Sequence, residues 1–552
     1  MLYDVIVVGS GIAGLYAALY AKKRGLHVAV VTKTNPLRSN SSVASGGINA
    51  VLETKGYDSV LRHVNDTQDG ADGLTDRDVI TQMCSEAPNI IAELSEMGVE
   101  FAKEEDGKIK QRPFGGTKAS RTCYIADKTG AAITQKLFMK CRQEGIEILA
   151  NYQFLNIIEY QEKLSGITVL KRTNSHVIAL ACKSLVLAGG GYAGIYRGHT
   201  TNAQESCGDV IAAALRAGAR ISNMEFVQFH PTTLANSGAL ISEAARGEGA
   251  YIIDETGERF TDELQTRDKL SRDIARHMLS GHKVYLDFRH LDPALIEERL
   301  PSTQKMALNG AGIDITTELL EITPAAHYTM GGIWTRQDTS TDIPFVFACG
   351  ECAVSGVHGA NRLGGNSLLE SAYFGRVAGR EAAKVALKRE FGMIDYAYIE
   401  KESRRVDLIL NGESLFNINS MRKNLGESLF KNAGVFRDES SLASALEYIN
   451  YLIKKQYGLH CVNKDPHFNV ELSSIIEFKN ALIIAETICM CAMKRNESRG
   501  VHYREDYPQK DDKNFGAESY LIQLQENFFE VSFEAKNRDS FLYKLKKLLH
   551  LK

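Results

Sequence analysis

Long apolar runs are missing from this chain of 552 residues. None reaches the ~18–20 residues of a membrane-spanning helix. Proline is scarce, with ten in the whole chain, and no Pro-rich linker, internal repeat or low-complexity stretch interrupts it. An excess of one charge sign is missing too. Against 68 Asp+Glu stand 65 Lys+Arg, a formal charge of -3, which argues against a strongly electrostatic nucleic-acid binder. The opening MLYDVIVVGSG lacks a basic segment and a cleavage site, so it is not expected to be a signal peptide. What remains is an ordinary globular composition, 44% hydrophobic and 24% charged. At ~150 residues per unit the length suggests three to four domain-sized pieces.

The ten cysteines follow no pairing pattern. Scattered thiols suit a reducing cytoplasm better than a disulfide framework, so the cytoplasm is the expected location. The single CxxC, Cys349-Gly-Glu-Cys352, has no second CxxC at zinc-like spacing and no nearby pair of histidines. It reads as two buried thiols beside a loop, with a redox dithiol as the sharper alternative. No iron–sulfur ligand run occurs. If this chain moves electrons, one end of the transfer lies in another molecule.

What is present begins at once. Residues 3–8, YDVIVV, are a short apolar run suited to a buried parallel strand. Gly9-Ser-Gly11-Ile-Ala-Gly14 follows, then an amphipathic helix over 12–24 closing near Gly25, then a second apolar strand, HVAVVT, at 27–32. This is a βαβ unit carrying the G-x-G-x-x-G fingerprint in its proper context. Gly9 permits the tight turn, Gly11 lets backbone approach a pyrophosphate, and Gly14 lets helix and strand pack closely. The helix N-terminus offers free N–H groups to phosphate. The acidic residue that would hold an NAD ribose is replaced by Thr32-Lys33, so a nicotinamide cofactor is disfavoured. SLVLAGGG (184–191) and FVFACGE (345–351) read as further strands delivering backbone to a nucleotide. Between them, 226–340 reads as an inserted domain. After about residue 385 the chain turns helical and charged, with long apolar periodicity over 472–494.

Polar residues cluster in Gly-rich, loop-like contexts: Gln228-Phe-His230-Pro-Thr232, Ser242-Glu243-Ala-Ala-Arg246-Gly-Glu248, Thr266-Arg267-Asp268-Lys269, His327-Tyr-Thr329, and His358-Gly-Ala-Asn361-Arg362 running on to Asn366-Ser367. Singly, each has a bland reading as a turn residue, a surface ion pair or a helix N-terminal pair. Together, two histidines and three arginines can supply donors to an anion with two carboxylates, because the planar guanidinium fork binds carboxylate bidentately and stays charged. No Ser-His-Asp order or metal-ligand spacing competes.

These motifs resemble the flavoprotein subunits of succinate dehydrogenases and fumarate reductases, together with L-aspartate oxidases. The markers run in order through VVGSGIAG, RSNSSVASGGINAV, FGGTKASRTCYIADKTG, QFHPTTL, SEAARGEGAYIIDETGERF, TRDKLSRDI, PAAHYTMGGI, HGANRLGGNSLLE and ESRGVHYREDYP, nearly the whole chain. The resemblance implies an α/β fold. A Rossmann-like FAD-binding domain (1–225 and 341–385) would carry an inserted α+β capping domain (226–340), followed by a helical domain (386–500) and a short C-terminal domain (501–552). It implies Arg267 as proton donor to the substrate double bond while a hydride from flavin N5 enters the other carbon. Glu243 and Arg246 would reprotonate it. His230, Ser242, His327 and Arg362 would hold the substrate carboxylates. It implies FAD contacts at Gly9, Gly11, Ala13, Gly14, Thr32, Lys33, Ser39, Gly46, Gly47, Asp209, Glu351, Asn366 and Ser367. It also implies an iron–sulfur partner subunit, with membrane contact only peripheral or through partners. The basic tail Lys544–Lys552 reads as a terminal helix packed on its own domain, docking being the alternative.

Two positions depart from the family. Membrane-bound members usually carry RSHT, whose His is bonded to the flavin; here RSNS places Asn40 there, so the FAD is expected to be non-covalent. Covalent attachment raises the flavin potential, so its loss favours fumarate reduction. Aspartate oxidases typically have Glu where this chain has Phe114, which cannot pair with an ammonium group and would pack against a plain dicarboxylate. That favours fumarate and succinate, with L-aspartate oxidation to iminoaspartate as the alternative. A flavin-binding scaffold without turnover is disfavoured by the presence of all six charged or imidazole groups.

Overall fold

The computed structural model describes residues 1–53, 57–525 and 528–534. The basic tail at 544–552 lies outside the described residues. The expected βαβ opening is there: strand Leu2–Val8, helix Ile12–Lys22 and strand Val28–Thr32, the strands paired in parallel. Their side chains are almost wholly buried because the sheet is covered on both faces, which is why they read as unbroken apolar runs.

That sheet has seven strands. Glu147–Ala150, Val28–Thr32, Leu2–Val8 and His176–Leu187 lie side by side and parallel. On the far side of His176–Leu187 the sheet divides. Its first half pairs antiparallel with Lys163–Lys171, which hairpins back to Tyr152–Tyr160, and its last residues pair parallel with Val346–Ala348. The parallel strands therefore come from 2–8 and, far downstream, from 346–348, and their carboxyl ends open on one crevice, the usual ligand position in such sheets. Helix Asn366–Ala386 packs against helix Ile12–Lys22 on one face.

A second, four-stranded antiparallel sheet, ordered Val227–Leu234, Leu320–Thr329, Val284–Asp287 and Tyr251–Asp254, stands over the crevice. Its own core, including Ile252, Leu270, Leu286, Phe288 and Leu320, is separate from that of the main sheet. Helices Tyr396–Asn411, Ile418–Asn432, Glu439–Lys455 and Val470–Lys494 follow. The last is buried round most of its circumference, which accounts for its long apolar sequence. Among the described residues, no helix is long and apolar enough to cross a membrane.

Among the described residues, the chain after Val501 does not build a sheet of its own. Its hairpin, Glu518–Gln525 with Phe528–Glu534, pairs antiparallel with Ile221–Ser222, which pairs in turn with Gly332–Trp334. The motif leading into it is an anchor. Glu497 is shared between Arg495 at 2.9 Å and Arg499 at 2.7 Å, and Arg495 reaches Glu225 at 2.6 Å, all fully buried.

Candidate active site

An elongated cavity enclosing about 1510 Å³, part of it open to solvent, follows the carboxyl ends of the parallel strands. Nine of the expected cofactor residues line it: Gly9, Gly11, Ala13, Thr32, Lys33, Ser39, Asp209, Glu351 and Ser367. Gly9 has φ +114°, and a Cβ there would fall 2.1 Å from the Ala188 carbonyl oxygen; only glycine makes this turn. Gly14 is off the wall but sets it, since its Cβ would fall 2.0 Å from the Gly9 oxygen. The helix beginning at Ile12 has no acidic residue in its first turn to compete with a phosphate. Gly-lined backbone, a helix N-terminus without an acidic residue and a cavity along the strand ends fit an FAD.

Lys33 is fixed from three sides: by Asp209 at 2.7 Å, Glu477 at 3.0 Å and the Glu205 carbonyl at 2.6 Å. Glu477 belongs to helix Val470–Lys494, so this partly buried cation ties the helical region to the cavity. Burial pushes the Glu351 carboxyl up to about 7, although Thr329 N–H donates to it at 3.1 Å. Asn40 also lines the cavity. Its amide donates to Asn202 and to Ser206 Oγ (3.1 Å), and its oxygen accepts from Ala203 N–H (3.1 Å).

Three expected contacts sit elsewhere. The Asn366 side chain bonds Asn49 (2.9 Å), His63 (3.0 Å) and Thr67 (2.9 Å), and Asn366, which starts helix Asn366–Ala386, is not on the cavity wall. Gly46 and Gly47 are not on the wall. Gly46 lies beneath Phe114, whose ring would meet a Cβ there at 2.6 Å, and Gly47 lies against Thr122.

The polar clusters converge beside His327 and Tyr328, which also line the cavity. Arg267 opens helix Arg267–Leu279 and donates to Glu243 Oε2 from Nε at 2.9 Å and Nη2 at 2.5 Å. Glu243 Oε1 accepts from Gly115 N–H at 2.8 Å and faces Arg246 Nη2 at 3.9 Å. Burial alone would raise the Glu243 carboxyl, but Arg267 and Arg246 hold it below the usual range. Arg246 is buried, with Nη1 on the Glu263 carbonyl at 2.5 Å and Nε and Nη2 lacking a hydrogen-bond partner. Burial lowers its pKa, Glu243 opposing the shift. Ser242 caps the short helix Glu243–Gly247, its hydroxyl accepting from Ala244 N–H at 3.2 Å.

Arg362 lies over the Tyr328 ring at 4.3 Å, with its Nε unpartnered. Burial, with Arg267 alongside, pushes it down to about 10. His230 and His327 stand edge to face, ring centroids 5.0 Å apart. Burial first, and then the Arg267 charge, holds both well below the usual histidine value, so both are neutral at pH 7. His327 Nδ1 is paired with Thr201 Oγ1 at 2.8 Å, which turns Nε2 away from it. Phe114 is buried beside Glu243, near Gly364.

The sequence reading passed over Gln228 as a site residue. Its Oε1 accepts from Arg267 Nη1 and Arg362 Nη2, both at 3.2 Å, while its amide donates to Asn361 Oδ1 at 2.8 Å and to the Arg362 carbonyl at 2.9 Å. Its position two residues before His230 on one strand, hence on the same face, was the available signal. Thr201 and Asn202, which hold His327 by side chain and backbone, gave none. Cys349 and Cys352 are both buried, and burial pushes the Cys352 thiol up to about 12.

Two family models match the chain: "FAD binding domain" over residues 4–368 and "Fumarate reductase flavoprotein C-term" over residues 422–547. The chain is 36% identical to the 8-methylmenaquinol:fumarate reductase flavoprotein subunit of Wolinella succinogenes, covering 93% of this chain and 87% of that one. It is 35% identical to the succinate dehydrogenase flavoprotein subunit of Rickettsia bellii, covering 93% and 91%. Among solved structures, an E. coli quinol fumarate reductase superposes with TM-score 0.92 at 31% identity, covering 98% of each chain. Mycobacterium smegmatis Sdh1 in complex with UQ1 gives 0.87 at 32%, covering 99% and 96%. With an FAD-binding cavity, a capping sheet and full-length likeness to these proteins, the chain belongs to the family of succinate dehydrogenase and fumarate reductase flavoprotein subunits, and is an FAD-dependent oxidoreductase of that type.

Proposed function

We propose that this chain interconverts fumarate and succinate, with fumarate reduction the favoured direction. The observation that carries the proposal is charge. Arg246 and Arg267 share a single carboxylate, Glu243, Arg362 makes no ion pair among the described residues and bonds Gln228 instead, and His230 and His327 are neutral. Two positive charges are thus left over in a buried space, with guanidinium donors unpartnered on Arg246 and Arg362. A dicarboxylate dianion supplies the matching charge and acceptors. Phe114, apolar and buried at the same place, offers no carboxylate to pair with an ammonium group.

In this reading residues 1–225 and 341–385 hold the FAD and 226–340 cap it. The flavin, when bound, supplies the hydride for fumarate and takes it back from succinate. Arg362 and the two imidazoles grip the substrate carboxylates. With Nδ1 accepting from the Thr201 hydroxyl, His327 presents Nε2–H to the anion, while His230 Nδ1–H donates to the Thr232 carbonyl at 3.0 Å, which fixes that ring beside it. The charge that develops on the substrate oxygens is met by donors already in place. Arg267 delivers the proton from its guanidinium, and Glu243, bonded to Nε and Nη2, returns one to it with Arg246 next in line. Gln228 keeps Arg267 and Arg362 in register.

Asn40 has no group that could bond covalently to a flavin, and its amide is committed within the protein, which supports a non-covalent FAD. An iron–sulfur subunit completes the electron path, in keeping with relatives named as flavoprotein subunits. Acid precipitation of the purified protein is expected to release the flavin to the supernatant; flavin retained in the pellet would contradict the assignment. The same preparation should oxidise a reduced dye with fumarate, and Arg267→Ala should abolish this. L-aspartate oxidation at rates matching fumarate reduction would overturn the substrate assignment in favour of an L-aspartate oxidase.

A further inference from the structure

Outside the active site, the capping region gathers two histidines and a carboxylate that the mechanism does not use. Asp254 ends strand Tyr251–Asp254, His277 lies in the last turn of helix Arg267–Leu279, and His282 lies just before strand Val284–Asp287. One ligand atom from each lies within 4.8 Å of the others. The sequence shows no metal-binding spacing here; the fold brings the three together.

The two oxygens of Asp254 have different work. Oδ1 accepts from Thr256 N–H (2.8 Å), the Thr256 hydroxyl (2.6 Å) and Glu258 N–H (3.1 Å), which fixes the turn. Oδ2 faces His277 Nε2 at 3.3 Å. That separation is close to the edge of a tetrahedron built on bonds of ~2.0–2.1 Å around one ion. The Thr256 hydroxyl holds the carboxyl down at about 2, so it is anionic at neutral pH. The His277 ring is held between Phe260, centroids 4.0 Å apart, and His282, centroids 4.4 Å apart, in a near-parallel stack.

His282 brings its own support. Its Nδ1 meets Glu255 Oε1 at 3.0 Å. With Nδ1–H donating to that carboxylate, the lone pair is left on Nε2, the arrangement that orients metal-bound imidazoles through an outer carboxylate. The His282 side chain is 40% exposed, so it can swing out of the stack to bring Nε2 to an ion shared with His277. The neighbouring Lys283 ammonium is engaged by Glu321 at 3.2 Å.

We propose that Asp254, His277 and His282 bind a divalent first-row transition metal ion, with Glu255 as the outer carboxylate. Two imidazoles and one carboxylate with an open position are a donor set for Zn²⁺. Arg267 opens the helix that His277 closes, ~15 Å away at 1.5 Å per residue. The ion would therefore brace the end of a strand, the end of a helix and the loop between them, and take no part in the redox step.

The test uses the full-length, flavin-loaded protein, stripped with a chelator and titrated with Zn²⁺ against a chromogenic competitor. Wild type is expected to bind one equivalent that the His277→Ala/His282→Ala double variant binds at least ~10-fold more weakly. Electron paramagnetic resonance of bound Cu²⁺ should show two coupled imidazole nitrogens in wild type and one in His282→Ala, a half-buried loop position, with flavin loading and Tm confirming that the variant is folded. Equal zinc uptake by wild type and the double variant, or a two-nitrogen signature surviving in His282→Ala, would overturn the proposal and leave an Asp–His ion pair only.

Discussion

Gln228 is neutral, buried and holds two of the three active-site arginines, so its replacement measures how much of the site's work is orientation. Gln228→Leu removes the acceptor for Arg267 Nη1 and Arg362 Nη2, both at 3.2 Å, without changing the charge of the site. A hydrogen bond to a charged group contributes ~1.5–3 kcal/mol. These two are long, so the lower figure applies, and together they come to about 3 kcal/mol. If both guanidinium groups must be in place in the transition state, kcat/KM for fumarate falls by about 100-fold, at 1.36 kcal/mol per decade. Gln228→Glu keeps the acceptor for both arginines but cancels one surplus positive charge and replaces the amide that donates to Asn361 Oδ1 and the Arg362 carbonyl, so it is expected to lower kcat/KM for the dianion through both charge and geometry. The assay is steady-state oxidation of a reduced viologen dye by fumarate, normalised to bound flavin. A Leu variant with full flavin loading and wild-type kcat/KM would refute the claim that Gln228 positions the arginines.

Gly14→Ala is expected to yield folded protein without cofactor, because the new Cβ would fall 2.0 Å from the Gly9 oxygen and push the phosphate turn out of shape; a wild-type flavin-to-protein absorbance ratio would count against that. Stability should depend on pH through buried histidines. Burial holds His230, His327 and His502 well below the usual value and His63 down at about 4. Below ~6.5 the unfolded chain binds protons there that the native chain does not, so stability is full above ~6.5 and falls as pH drops, by about 1.4 kcal/mol per pH unit for each histidine. Tm measured from about pH 7.5 down to 5.5 should decrease, and a Tm that rises over that interval would refute the buried-neutral assignment.

The parts of this molecule that were readable from its sequence are those where local chemistry has few alternatives. A strand covered on both faces must be apolar throughout, so Leu2–Val8, Val28–Thr32 and the end of His176–Leu187 announce themselves. Gly9 and Gly14 sit where the Cβ of any other residue would strike a carbonyl oxygen, and the fingerprint follows from that. Arginines in Gly-rich loops stand out because a charge that is not on a solvated helix face needs a reason. Gln228 carries no charge and no conformational demand, so nothing in its own chemistry marks it, although it touches two arginines. Asn366 is the converse case: its place beside Ser367 suggests a ligand contact, and its side chain also bonds Asn49, His63 and Thr67, partners no local signal announces.

What the sequence hides most completely is pairing at a distance. Nothing local says that the hairpin at 518–534 completes a sheet begun at Ile221, or that Lys33 is neutralised by Glu477 on a helix from the far end of the chain. The same holds for the charge of the active site. Counted over the chain the formal charge is -3 and uninformative. Counted around Gln228 and Glu243 it is two positive charges, whereas other buried arginines, such as Arg121 with Asp58 and Asp66, or Arg495 with Glu225 and Glu497, are matched by carboxylates. Buried cations are costly when unpaired. On the proposed reading a dianion bound beside the cofactor cavity would relieve this imbalance, and two of the arginines that would meet it, Arg246 and Arg267, begin or lie in helices of the capping region.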